Sequence, residues 1–254
     1  MLTLNEAKEI ATNNGINTKA KPYLISRPDA NPKTAKNMKF GVLTSPLHLA
    51  PASLSGHNVC AGASLGCIKA CLHTAGNPAH MAGKQRARIA KTQLYFSNRE
   101  AFLVLLFDDM AWLARKAERL GLVAGLRPNA TSDLPIERIK LHGVSIVDHA
   151  NNLKIRLYDY TAILKRALAS PYHLTFSRKE DNDEACIQVL KAGKNVAAVF
   201  EVSKAKPLPK TWKGFPVLNG DESDWRPGDK LGHVIGLKAK GLAKKDTSGF
   251  TILQ

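Results

Sequence analysis

Three of the chain's four cysteines, Cys60, Cys67 and Cys71, fall within twelve residues. Six residues separate the first pair and three the second, and the small Ala61-Gly62-Ala63-Ser64 run between them lets the backbone fold tightly. Three thiolates could then converge on one ion or cluster. Around a structural zinc, His57, His73 or His80 would supply the fourth tetrahedral ligand. A plainer alternative is that these are reduced cysteines packed as small hydrophobes, the usual fate of a free Cys. That role is assigned to Cys186, which sits alone on a helix-like stretch.

A second set of chemistry-bearing residues follows short apolar runs that read as strands. Arg127, Asn129, Ser132 and Asp133 come after 122–127, and Asp159 and Tyr160 close 155–160. Ser177 and Arg178 end the next run, Asn219 and Asp221 a later one, and Lys238 and Lys240 the last. In strand–helix architectures the chemistry collects at the carboxyl ends of the strands. Asp133, Asp159 and Asp221 are therefore the candidates for general acid/base or ligand-holding work. Arg127, Asn129, Ser132, Tyr160, Ser177, Arg178, Asn219, Lys238 and Lys240 are the candidates for holding substrate or cofactor. An Asx turn or a helix cap is the structural alternative for each acid, and Ser132-Asp133 ahead of Leu134-Pro135-Ile136-Glu137 suits one.

The elements that must position these residues are legible from periodicity. Leu4 to Asn14 carries Leu4, Ala7, Ile10 and Ala11 at helical spacing, and Gly15 can end it. Lys19 to Lys39 is basic and broken by Pro22, Pro28 and Pro32, which predicts an extended arm or surface loop. A strand within 39–51 leads into the cysteine loop. Met81 to Tyr95 places Lys84, Arg88 and Lys91 on one helix face, either solvated or phosphate-binding. Asn98 caps a helix over Arg99 to Leu120 with a buried stripe of Phe102, Leu105, Leu106, Met110, Leu113 and Ala117. Beyond it, strands at 122–127, 155–160, 172–177, 195–200, 215–219 and 233–238 alternate with helical segments such as 182–192. Such alternation implies parallel pairing with right-handed crossovers. The expectation is an α/β fold, a single-domain closed or partial β/α barrel over 39–254 with an N-terminal helix and basic arm over 1–38. A doubly wound open sheet is the other architecture of this class.

Composition narrows the partners. The 254 residues are 44% hydrophobic, and no apolar run approaches the ~20 residues that span a bilayer. The opening residues read as a capped helix rather than a signal peptide, so the cytoplasm is the expected compartment and no membrane partner is expected. Thirty-seven basic against twenty-one acidic residues leave a net charge of +16, which attracts polyanions at long range. Nucleic acid is the expected partner, DNA ahead of RNA. The glycine- and lysine-rich 236–250 segment could hold phosphate but lacks the spacing of a Walker loop.

Taken together, the cysteine loop Cys60–Cys71, the Arg127 to Leu134 segment, Tyr158-Asp159-Tyr160-Thr161, His173-Leu174-Thr175-Phe176-Ser177, Asn219-Gly220-Asp221 and Gly236-Leu237-Lys238-Ala239-Lys240-Gly241 resemble a widespread family of tailed-bacteriophage proteins. That resemblance spans the chain from Lys21 onward and implies a phage protein made in a bacterial host. A cysteine triad after the first strand of a barrel is also similar to the radical S-adenosylmethionine enzymes, although the cysteine spacing is wider here. That likeness implies an iron–sulfur cluster on Cys60, Cys67 and Cys71 with S-adenosylmethionine on its open iron; joined to the basic charge, it gives the expectation of an enzyme that modifies nucleic-acid bases. The alternatives are a non-enzymatic nucleic-acid-binding protein braced by zinc and a base-exchange transglycosylase. In the last, an Asp such as Asp133 or Asp221 would attack the sugar carbon.

Overall fold

The computed structural model describes residues 1–30, 32–71, 81–203 and 205–253, without the side chains of 32 and 33. Along the chain run α1 (Leu4–Asn13), α2 (Pro32–Asn37), β1 (Val42–Pro46), α3 (Leu65–Lys69), α4 (Ala82–Ser97), α5 (Arg99–Arg119) and β2 (Val123–Arg127). Then follow β3 (Lys140–Leu141), β4 (Val144–Ser145), α6 (Ile146–Asn152), β5 (Arg156–Thr161), α7 (Leu164–Ala169), β6 (His173–Ser177) and α8 (Asp183–Lys191). The last elements are β7 (Val196–Phe200), β8 (Thr211–Trp212), β9 (Phe215–Asn219), β10 (Val234–Lys238) and β11 (Thr251–Ile252). The fold is mixed α/β with mostly parallel strands. Among the described residues no helix is long and apolar enough to cross a membrane.

The chain divides into two compact units, Met1–Cys60 with Met81–Tyr158 and Ala61–His80 with Asp159–Gln254. Residues 1–38 thus fall inside the first unit, beside the start of the 39–254 stretch.

In the first unit β2 lies between β1 and β5, and both pairings are parallel. α5 carries the expected apolar stripe, with Phe102, Leu105, Leu106, Met110, Leu113 and Ala117 all buried, and α1 and α4 pack against it. Asn98 caps α5 by accepting the Ala101 N–H at 2.9 Å, and Thr3 and Glu6 form a capping box on α1.

The basic stretch 19–39 corrects the sequence expectation. It is not an extended arm throughout, because Tyr23, Leu24 and Ile25 are buried. Their backbone N–H groups all donate to the buried Asp109 carboxylate, at 2.7 to 3.1 Å. Lys21 Nζ pairs with Asp108 at 2.6 Å. Adjacent acids on α5 convert what reads as a loop into a docked segment, an interaction 84 to 87 residues apart that no local pattern encodes.

In the second unit the strand order is β6-β7-β10-β9-β8, with β11 also on β7. All pairs are parallel except β8 with β9. The core gathers Phe176, Cys186, Val189, Val196, Ala198, Phe200 and Trp212. Cys186 takes the core role expected of it, and burial pushes its thiol up to about 12.

Candidate nucleic-acid interface

Parallel pairing puts the carboxyl ends of β1, β2 and β5 on one edge of the first unit. The register sets Pro46 beside Arg127 and Leu126 beside Leu157, so Arg127 and Tyr158 follow side by side on one face. The Arg127 guanidinium lies 5.8 Å from the Tyr158 ring centroid, within cation–π range. Beneath them Asn37 donates to Thr44 Oγ1 at 3.0 Å and to the Tyr158 hydroxyl at 3.5 Å, which fixes the ring.

Past β1 the ladder continues. Leu47 N–H donates to the Arg127 carbonyl at 2.8 Å, and Ala130 N–H to the Leu47 carbonyl at 3.1 Å. His48 therefore falls two residues beyond Pro46, the period that returns a side chain to one face of a strand. The next residues are tied to α4, because Ala50 N–H donates to Thr92 Oγ1 at 2.8 Å and that hydroxyl donates to the Arg88 carbonyl at 2.9 Å. Thus β1 and β2 carry His48 and Arg127 to the same end, while α4 brings Lys84, Arg88 and Lys91.

Electrostatics mark this end as strongly positive. Burial, followed by the charges of Arg88, Lys91, Arg127 and Lys84, holds His48 down to about 3, so its ring is neutral near pH 7. Its Nδ1 is buried without a hydrogen-bond partner among the described residues. Lys91 donates to the Leu24 carbonyl at 2.7 Å. Desolvation lowers it to about 8 in spite of the attraction of Asp109. Asp109 in turn is pushed up to about 6 by burial, against the pull of its three backbone donors.

Other expected site residues of the first unit build the neighbouring turn. Asn129 Oδ1 accepts from Ser132 Oγ at 2.8 Å and from Leu134 N–H at 2.9 Å, while Asn129 Nδ2 donates to the Leu134 carbonyl at 2.9 Å. Asp133 is buried, with its N–H on the Val59 carbonyl at 2.8 Å. Asn129 and Ser132 thus shape the loop after β2. Cys60 is half-buried; its Sγ accepts the Ala52 N–H at 3.4 Å and lies 3.9 Å from the Thr131 carbonyl. His57 stacks on Phe96 with ring centroids 4.1 Å apart.

In the second unit the strand ends are polar, and Arg178, Asp221 and Lys240 are paired within the fold. Asp221 accepts the Lys238 N–H at 3.0 Å through Oδ2 and pairs with Lys240 through Oδ1. Lys238 Nζ donates to the Lys206 carbonyl at 2.5 Å. Asn219 donates to Glu222 at 3.0 Å and accepts the Asp221 N–H at 3.2 Å. Arg178 pairs with Asp183 at 2.9 Å and donates to the Phe250 carbonyl at 3.0 Å. The Ser177 carbonyl accepts from Asn182 at 3.0 Å. Asp159 is buried, and Tyr160 is half-buried. Of the four lysines in 236–250, Lys244 and Lys245 are exposed.

Cys67 lies on α3 and Cys71 just after it, both half-buried. Glu180, which the sequence places only among polar loop residues, anchors this short helix. It accepts Ser64 Oγ at 2.7 Å and the Gly66 N–H at 2.9 Å, and these donors hold its carboxyl below the usual range despite partial burial. Gly66 is required there, since a Cβ would lie 2.8 Å from the Glu180 carboxylate and 2.4 Å from Ser248 Oγ. His73 and His80 lie outside the described residues. Among the described residues no group of three or more His, Cys, Asp or Glu side chains could hold a metal ion.

His48 is the residue sequence reading passed over. The signal was present, since it follows β1 as Arg127 ends β2, but the cysteines beyond it carry the stronger pattern.

A family model described as gene product 88 matches residues 16–254. The chain belongs to the gene product 88 family. The match covers almost the entire chain and agrees with the phage-type resemblance carried by its motifs. No curated protein and no solved structure matches this family member.

Proposed function

We propose that this gene product 88 family member acts on nucleic acid in the cytoplasm of a phage-infected bacterium, with DNA favoured over RNA, and grips the phosphate backbone through the first unit. The observation that carries the reading is the placement of basic residues: Arg127 ends β2 beside the extension of β1, and α4, tied to that extension through Thr92, carries Arg88 and the exposed Lys84, a local field of positive charge. A polyanion neutralises such a field, and each phosphate contact releases counterions. The net charge of +16 supplies the long-range attraction.

A base-modifying reaction extends this reading. Its proposed parts are a partial β/α barrel, the cysteine trio and Asp133, Asp159 and Asp221. Transglycosylase chemistry and a zinc-braced binding protein are its alternatives.

The test is a salt titration of DNA and RNA affinity. A steep linear fall of log affinity with log salt supports the reading, and salt-independent weak binding refutes it. Elemental analysis of anaerobically purified protein separates the chemistries. Iron with labile sulfide supports the cluster, one zinc per chain supports the brace, and neither metal returns the cysteines to packing.

A further inference from the structure

We propose that the first two turns of α4 form a probe that enters the major groove of double-stranded DNA. The proposal rests on the nucleic-acid reading and deepens it, because it names the form of the polymer and the groove. Three observations point to it.

The first is how α4 is held. Its second half is locked into the first unit, where Ala90, Thr92, Leu94 and Tyr95 are buried. Tyr95 meets Phe102 of α5 edge to face with ring centroids 5.3 Å apart, and Thr92 Oγ1 accepts the Ala50 N–H at 2.8 Å. The first half is different. Every residue from Ala82 to Ala87 is exposed, and at about 3.6 residues per turn such a run covers all sides of a helix. These turns meet solvent all round for about 9 Å, close to the ~8.5 Å depth of the major groove. α5, in contrast, buries residues from Ala101 in its first turn to Ala117 near its end.

The second is composition. α4 carries Lys84, Arg86, Arg88 and Lys91 and no acid, so nothing on it repels a groove lined by phosphates. Ala, Lys, Gln and Arg are strong helix formers, which keeps the exposed turns helical without packing. A helix fits the ~12 Å width of the groove, and the small Ala82, Gly83 and Ala87 keep this one slim. Beside them, the exposed Gln85 and Arg86 are the residue types that pair with base edges there, Gln with adenine and Arg with guanine.

The third is Gly83. Glycine inside a helix is less stable than alanine, and the fold supplies no reason for it here. A Cβ at this position would meet nothing within 4 Å. A partner that comes close to the helix backbone supplies that reason.

The experiment uses the full chain and four labelled probes of one mixed sequence: duplex DNA, each of its single strands, and duplex RNA. The major groove of duplex RNA is too deep and narrow for side chains to read. At one ionic strength duplex DNA is expected to bind about tenfold tighter or more than the other three. Methyl green, a major-groove ligand, should displace the protein from duplex DNA, and netropsin, a minor-groove ligand, should not. Replacing Gln85 and Arg86 together with Ala should lower duplex affinity about fivefold or more, and Gly83→Leu should lower it too. All three positions are exposed, so circular dichroism and the unfolding midpoint should match the wild type. Salt-dependent binding that is equal for all probes, or stronger for single strands, overturns the groove probe and leaves the nucleic-acid reading standing. Displacement by netropsin alone, or duplex affinity unchanged in both variants, does the same. Absence of salt-dependent binding to any probe overturns the nucleic-acid reading, and the groove probe falls with it.

Discussion

The two units end their parallel strands in opposite electrostatic styles. At the edge of the second unit Arg178 meets Asp183 and Lys240 meets Asp221. At the edge of the first unit the strongest charges acting on His48 are all cations. The supporting acid, Asp109, spends its oxygens on the backbone of residues 23–25. Polar strand ends alone therefore do not mark a binding edge. What matters is which charges the neighbouring elements bring to the strand ends.

The largest effect that would sharpen this contrast is expected from Asp109→Ala. Three backbone N–H groups lose their acceptor in a buried site, at about 1 kcal/mol or more each, for a loss of roughly 3 kcal/mol or more. Urea unfolding measures it, and an unchanged midpoint would deny that the acid supports the first unit. In the second unit Asp221→Ala strips the acceptor from the Lys238 N–H and the partner from Lys240. A loss of about 1–3 kcal/mol in stability is expected, with strand binding unchanged. Lost binding with stability intact would make Asp221 a strand-binding residue as well as a partner of Lys238 and Lys240.

Binding should divide the edges the other way. Replacing both Lys84 and Arg88 with Ala should make the log–log salt slope shallower by about 2, as two phosphate contacts disappear. Lys240→Ala should leave the slope alone. Equal slopes for both variants would break the comparison.

The smallest effect at neutral pH concerns His48. Its folded value of about 3 lies below the unfolded value near 6.5, so folding favours the neutral ring. That contribution is complete above about 6.5 and is lost as pH falls toward 3. Acid titration of stability should show this loss in the wild type and a reduced one in His48→Asn. Asp109 works in the opposite sense. Raised to about 6, its carboxyl contributes stability below about 3.8 that is lost as pH rises through 6. Comparing the two single variants separates the windows.

Much of the frame was legible in the residues. The helix expected over Arg99 to Leu120 forms over Arg99–Arg119, and the strand expected at 195–200 forms over Val196–Phe200. Both are set by caps and periodicity that act within a few residues. The short α6, after the β3–β4 hairpin, was not anticipated, since its seven residues span too few turns to show a stripe. The docking of residues 23–25 on Asp109 had no local signature either, as its partners are more than eighty residues apart.

For the site, the sequence alone determined which residue types stand at the strand ends and that the chain carries a large positive charge, because both are properties of local order and composition. Tertiary structure decided how those charges are used. Strand register set Arg127 beside Tyr158, α4 brought Arg88 toward His48, and the return of β10 beside β9 gave Asp221 to Lys238 and Lys240. A charge acts outward or inward according to what lies within a few ångströms of it, and those neighbours come from distant parts of the chain.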